Sequence, residues 1–142
     1  MNWMGVLRAG AKRYGPRALQ AAQRSAGKLA QSPAAQRQAL ALVGGVPERL
    51  HGVPVTRHQR LAARVDAVRA SASNRLATAG DPATKERARE WLARADRLRS
   101  SLDLAASTRR QQRKGHLDRV AGSLDALVAE MIDSLGDPPQ GP

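Results

Sequence analysis

Residues 56–82 read TRHQRLAARVDAVRASASNRLATAGDP, and this stretch decides the fold class. Thr56 and Gln59 have the spacing of a capping box, in which each side chain satisfies a backbone N–H of the other at a helix N-terminus. Apolar residues then recur every three or four positions, at Leu61, Val65, Val68, Ala72 and Leu76. That period is typical of one buried helix face. The pattern predicts a helix that begins after Thr56 and ends before Gly80.

Two further helices follow from the same kind of signal. Asp81-Pro82 is a typical N-cap and first-turn pair, and a second seam follows at Trp91, Ala95, Leu98, Leu102 and Ala105. Gly115 is interpreted as an interruption after a basic stretch. A third seam then follows at Leu117, Val120, Leu124, Leu127, Met131 and Leu135. Short connections between amphipathic helices favour antiparallel neighbours. We therefore predict an all-α protein with an antiparallel three-helix bundle over about residues 56–135, the domain extending to 136.

The first 43 residues predict a basic amphipathic helical arm ahead of that bundle. A joint is expected at Gly15-Pro16, because proline is accepted in the first turn of a helix. Ser32-Pro33 indicates the start of a further short helix that ends at Val43. Residues 44–55 are rich in glycine and proline and predict a linker. Residues 137–142 predict a disordered tail.

Charge separates the arm from the rest of the chain. The formal net charge is +12, and residues 1–60 contain ten lysines and arginines against a single acidic residue, Glu48. Such an acid-free basic segment favours an anionic partner. The predicted anion-binding residues are Arg8, Lys12, Arg13, Arg17, Arg24 and Lys28 of the arm, with a second cluster at Arg109, Arg110, Arg113 and Lys114. The second cluster has an alternative role at the C-terminus of the preceding helix, whose dipole favours cations.

The sequence does not predict an enzyme, a catalytic residue, a cofactor or a metal site. There are no cysteines, and the three histidines lack a second ligand at helical spacing. Motifs for acyl transfer, phosphate-loop binding and dinucleotide binding do not occur. Trp91 lies on the second seam and is expected to be a core residue.

Three classes of partner remain open. We expect a non-enzymatic binding protein, with nucleic acid bound through its phosphates and without strong sequence specificity as the leading hypothesis. A peripheral membrane protein is the alternative, in which Trp3, Met4 and Leu7 insert into a lipid interface or a partner's groove. A coiled-coil scaffold or adaptor, or a homo-oligomer, is the third. The arginine-rich composition is typical of a GC-rich bacterial genome. It leads us to expect a cytoplasmic protein, with association with the nucleoid or with the membrane as two open alternatives.

Overall fold

The computed structural model describes residues 14–43, 49–50 and 52–135, together with the isolated residues 5 and 9. These residues form five helices: α1 (Pro16–Leu29), α2 (Pro33–Val43), α3 (Arg57–Thr78), α4 (Pro82–Ala106) and α5 (Arg110–Leu135). The predicted all-α class is confirmed. Within the predicted linker, β1 (Arg49–Leu50) pairs antiparallel with β2 (Val53–Pro54), which the sequence did not lead us to expect.

The helices begin where local hydrogen-bonding signals predict. Thr56 Oγ1 accepts a hydrogen bond from the backbone N–H of Gln59 at 3.1 Å, and Gln59 Oε1 accepts one from the Thr56 N–H at 2.9 Å. The capping box is therefore complete. At the start of α4, Asp81 Oδ2 accepts a hydrogen bond from the Thr84 N–H at 2.9 Å. Helices α1, α2 and α4 each have a proline as their first residue.

Helices α3 and α4 run antiparallel, and so do α4 and α5. Arg69 on α3 pairs with Asp96 on α4 at 2.7 Å, and the His116 ring on α5 lies 2.9 Å from the Ser101 carbonyl oxygen of α4. The seam residues Val65, Val68, Leu102, Leu124 and Leu127 are buried in one core, and Trp91 is buried with them.

The interpretation of Gly115 as an interruption is wrong, because α5 begins at Arg110 and continues through it. A helical glycine costs about 1 kcal/mol relative to alanine. Contacts on either side of Gly115 offset this cost. The Arg113 guanidinium donates to the Thr108 carbonyl at 3.2 Å, and His116 bonds to Ser101 of α4.

Helices α1 and α2 belong to the same hydrophobic core as the other three. The face of α1 that packs on α5 consists of Ala18, Ala21, Ala22, Ser25 and Leu29, all buried. Because four of these side chains are small, the two helices approach closely. The predicted division into a separate arm (1–43) and a three-helix bundle (56–136) is therefore not confirmed. Residues 1–13, apart from 5 and 9, and the predicted tail lie outside the described residues.

Candidate anion-binding groove

The N-terminus of α1 contacts a buried carboxylate of α5. Asp125, which is only 6% exposed, accepts hydrogen bonds from the backbone N–H groups of Arg17 at 3.2 Å and Ala18 at 2.9 Å. A helix N-terminus favours such an anion because its first N–H groups have no partner within the helix. The contact fixes where α1 begins, and so places the Arg17 side chain beside α4 and α5.

Gly15 makes this close approach possible. Its φ of +135° lies in a region that side-chain-bearing residues rarely adopt, and an added Cβ would lie 2.8 Å from the Asp125 carboxyl carbon. A side chain at position 15 would therefore separate the carboxylate from the helix terminus. The Gly15-Pro16 pair, predicted only as a joint, positions α1 on α5.

An open cavity of about 800 Å³ lies where α1, α4 and α5 meet. Four arginines from these three helices line it, and we call it the arginine groove: Arg17, Arg94, Arg97 and Arg119. Gly122, Ser123 and Ala126 of α5 also line it, together with Asp125. The groove is therefore cationic along its sides, with small side chains between the guanidinium groups.

Three of these four guanidinium groups have no ion-pair partner within the part of the chain that the structure describes. Arg94 forms an ion pair with Glu130 of α5. Arg17, Arg97 and Arg119 are exposed, and no described carboxylate lies within salt-bridge distance of them. The carboxylate of Asp125 accepts hydrogen bonds from the α1 N-terminus instead. The three guanidinium groups repel one another and would each attract an anion. An anion in this groove would therefore be stabilised by all three guanidinium groups.

A second, smaller cavity continues along α5. It has a volume of about 490 Å³ and is lined by Thr108, Gln111, Gln112, Gly115, His116 and Arg119. Arg119 lines both cavities, so they are adjacent. Arg109, Arg110 and Lys114 lie at this end of α5, and all three are exposed without a described ion-pair partner. None of these three residues lines either cavity, so the shared cationic residue of the two cavities is Arg119.

The remaining predicted anion-binding residues differ in their surroundings. Arg24 forms an ion pair with Asp133 at 2.9 Å, so its charge is compensated. Arg113 donates to the carbonyl oxygens of Ala106 and Thr108 at the end of α4, in line with the alternative role at a helix C-terminus. Lys28 is exposed at the opposite end of α1.

Six predicted residues lie outside the described part of the chain. They are the basic residues Arg8, Lys12 and Arg13 and the predicted insertion residues Trp3, Met4 and Leu7. The anion-binding and insertion roles of these six remain predictions.

Sequence reasoning missed Arg94, Arg97 and Arg119. They occur in segments where acidic residues balance or nearly balance the basic ones, so the charge profile did not single them out. Asp96 and Asp118 pair with Arg69 and Arg57 of α3, which leaves Arg97 and Arg119 without an ion-pair partner among the described residues. Only packing between helices determines which arginine each carboxylate meets.

Among the described residues, no group of three or more histidine, cysteine and acidic side chains could bind a metal ion. No described helix is long and apolar enough to cross a membrane. Comparison with models of protein families, with curated proteins and with solved structures gives no match for this chain.

Proposed function

We propose that this chain is a non-enzymatic binding protein that engages nucleic acid through its phosphates, without strong sequence specificity. The observation that carries the proposal is the set of three exposed guanidinium groups, from Arg17, Arg97 and Arg119, that line one groove and have no described ion-pair partner. Guanidinium is planar and presents several N–H donors, which suits bidentate contact with phosphate oxygens.

A polymeric anion fits the arrangement better than a small one. The arginine groove continues through Arg119 into the second cavity, which Gln111 and Gln112 also line with amide groups. A single small anion can contact only one part of such a surface, whereas a chain of phosphates can contact all of it. The net charge of +12 would also accelerate association with a polyanion.

The groove chemistry supports binding without sequence readout. Its charged contacts come from arginines on three different helices, set apart by glycine, serine and alanine. No single helix presents these cations in a row that could enter a major groove and contact successive bases. Contacts to phosphates fix position on the polymer but carry no direct sequence information.

The test is duplex-DNA binding, measured by fluorescence anisotropy over a range of salt concentrations. The variant R17A/R97A/R119A should lower affinity by roughly tenfold or more at physiological salt, and should reduce the slope of log affinity against log salt by about three. A matched control, R37A/K85A/R89A, removes the same charge from exposed positions that do not line the groove. It should reduce affinity much less. Equal losses in the two variants would contradict a specific groove.

A parallel measurement with anionic vesicles distinguishes the membrane alternative. Vesicle binding that survives physiological salt and is lost in W3A, with no DNA binding, would overturn the proposal. Such binding would need apolar insertion rather than phosphate contacts alone. The expected result is DNA binding that weakens steeply with salt and is unaffected by W3A.

A further inference from the structure

We infer that the arginine groove and the second cavity form one continuous track along α5 that binds one strand of a nucleic-acid duplex by its sugar-phosphate backbone. This inference rests on the proposed function and deepens it, because it specifies a duplex rather than a single strand. Its basis is the geometry of α5 between Gln111 and Ala126, where both cavities lie.

The two cavities share a residue and a helix face. Arg119 lines both, and Gly115 and Gly122 lie four residues before it and three residues after it. Residues at these spacings share one helix face. At about 1.5 Å per residue, the segment from Gln111 to Ala126 is roughly 22 Å long. With a rise of about 3.4 Å per base pair along the duplex axis, that length corresponds to about six base pairs of the duplex.

The floor of the track is open to a ligand. Gly115 and Gly122 are both exposed, and a Cβ built on either would meet no described heavy atom within 4 Å. Glycine within a helix is less favourable than alanine, and packing among the described residues requires it at neither position. At these two positions only hydrogen lies between the helix backbone and the track. A sugar-phosphate chain can therefore approach α5 closely, with Arg119 between the two gaps.

The aromatic residues argue for a duplex. Sequence-independent binding of single strands usually relies on bases that stack on exposed aromatic rings. The chain has three aromatic residues; Tyr14 and Trp91 are 7% and 4% exposed, and Trp3 lies outside the described residues. The track offers guanidinium and amide groups instead, which contact phosphates. A duplex presents its phosphates on the outside and keeps its bases stacked without help from the protein.

The first experiment compares one oligonucleotide of about 20 nucleotides as a duplex and as a single strand, each binding to the full chain at equal salt. The duplex should bind about tenfold more tightly, and R119A should reduce the slope of log affinity against log salt by about one. Single-strand binding as tight as duplex binding, or tighter, would overturn the inference but leave the proposed function intact. If neither form binds, the proposed function itself fails.

The second experiment separates a ligand-facing glycine from a structural one. G122A should raise Tm by roughly 3 °C, because alanine is the better helix former, and should weaken duplex binding at least threefold, because the methyl group occupies the track. G27A is the matched control, since Gly27 is an exposed helical glycine of α1 with nothing within 4 Å of an added Cβ. It should raise Tm without changing affinity. An unchanged affinity for G122A would overturn the track, whatever its Tm.

Discussion

Two helix pairs of this molecule achieve close packing by different means. Helices α3 and α4 bury several larger side chains, among them Val65, Val68, Trp91 and Leu102, together with alanines. Helices α1 and α5 pack through alanines and a serine on the α1 side, and the carboxylate of Asp125 contacts the α1 N-terminus directly. The first pair buries apolar volume, whereas the second combines a narrow interface with directed hydrogen bonds.

The difference bears on how each pair responds to substitution. Burial of large aliphatic and aromatic groups depends on area and is insensitive to small shifts in geometry. An alanine interface buries little area per residue, so the α1–α5 contact depends more on the few polar groups that fix its register. We therefore expect volume changes to dominate the α3–α4 pair, and expect charge and hydrogen-bond changes to dominate the α1–α5 pair.

The largest effect is expected for W91A. Removing a buried tryptophan should lower the free energy of unfolding by about 4 kcal/mol, since it loses both the transfer free energy and the packing around the cavity it leaves. Urea denaturation followed by circular dichroism measures this. L104A on the same helix is the control, because Leu104 is 64% exposed and its loss should change stability by less than about 0.5 kcal/mol. A loss of stability in W91A as small as that in L104A would contradict a core role for Trp91.

The next largest effect is expected for D125A. It leaves the N–H groups of Arg17 and Ala18 without their acceptor in a buried contact, which should cost about 3 kcal/mol. Hydrogen exchange should show this loss mainly in the α1 amides, while the α4 amides keep most of their protection. Equal loss of protection in α1 and α4 would mean that the α1–α5 and α3–α4 pairs unfold together. It would contradict the expected difference between the two pairs.

A third prediction concerns alkaline pH. Burial raises the pKa of Tyr14 from 10.0 to about 12, although the Arg64 guanidinium, 4.9 Å from the ring centroid, opposes the shift. A pKa raised on folding gives stability that is complete below the ordinary value and is lost as pH rises towards the folded one. Between about pH 9 and about pH 11, the wild-type protein should lose about 1 kcal/mol more than Y14F, measured by urea denaturation. Identical losses would indicate that the Tyr14 hydroxyl is solvated.

The smallest effect is expected for R24A. The ion pair between Arg24 and Asp133 joins α1 to α5, but its side chains are 59% and 43% exposed. Solvent screens such a pair, so its loss should cost about 0.5 kcal/mol and less at high salt. If R24A lowered the free energy of unfolding as much as D125A, the surface ion pair would stabilise the α1–α5 contact as much as the hydrogen bonds at the α1 N-terminus.

The fold was predictable wherever its signals are local. The capping box of Thr56 and Gln59, the Asp81 cap and the three apolar seams each depend on residues within a few turns of one another. The α1–α5 contact was not predictable in this way, because Ala18 and Asp125 are 107 residues apart. An alanine face also gives a weak apolar signal, so α1 was interpreted as an arm. Asp125 lies beside the third seam, where sequence alone assigns it no partner.

The candidate site was predictable only in part, and for a similar reason. Arg17 was predicted from the acid-free N-terminal segment, and it does line the groove. Arg97 and Arg119 were not, because the segments that contain them also contain many acidic residues. Each of the two arginines directly follows an aspartate. In the structure those aspartates pair with α3. Net charge per segment therefore predicted a cationic surface, but it did not identify most of the arginines that line the groove.

The parallel contact between α1 and α5 has a consequence for biosynthesis. Asp125, which accepts a hydrogen bond from Ala18 at the start of α1, lies 107 residues further along the chain. At roughly 5–20 residues per second, a ribosome needs about 5–20 s to synthesise that length. During that interval α1 has been synthesised but its partner helix has not. The face of α1 that packs on α5 is mostly alanine. A helix whose partner is synthesised much later is thus one with little apolar surface to aggregate.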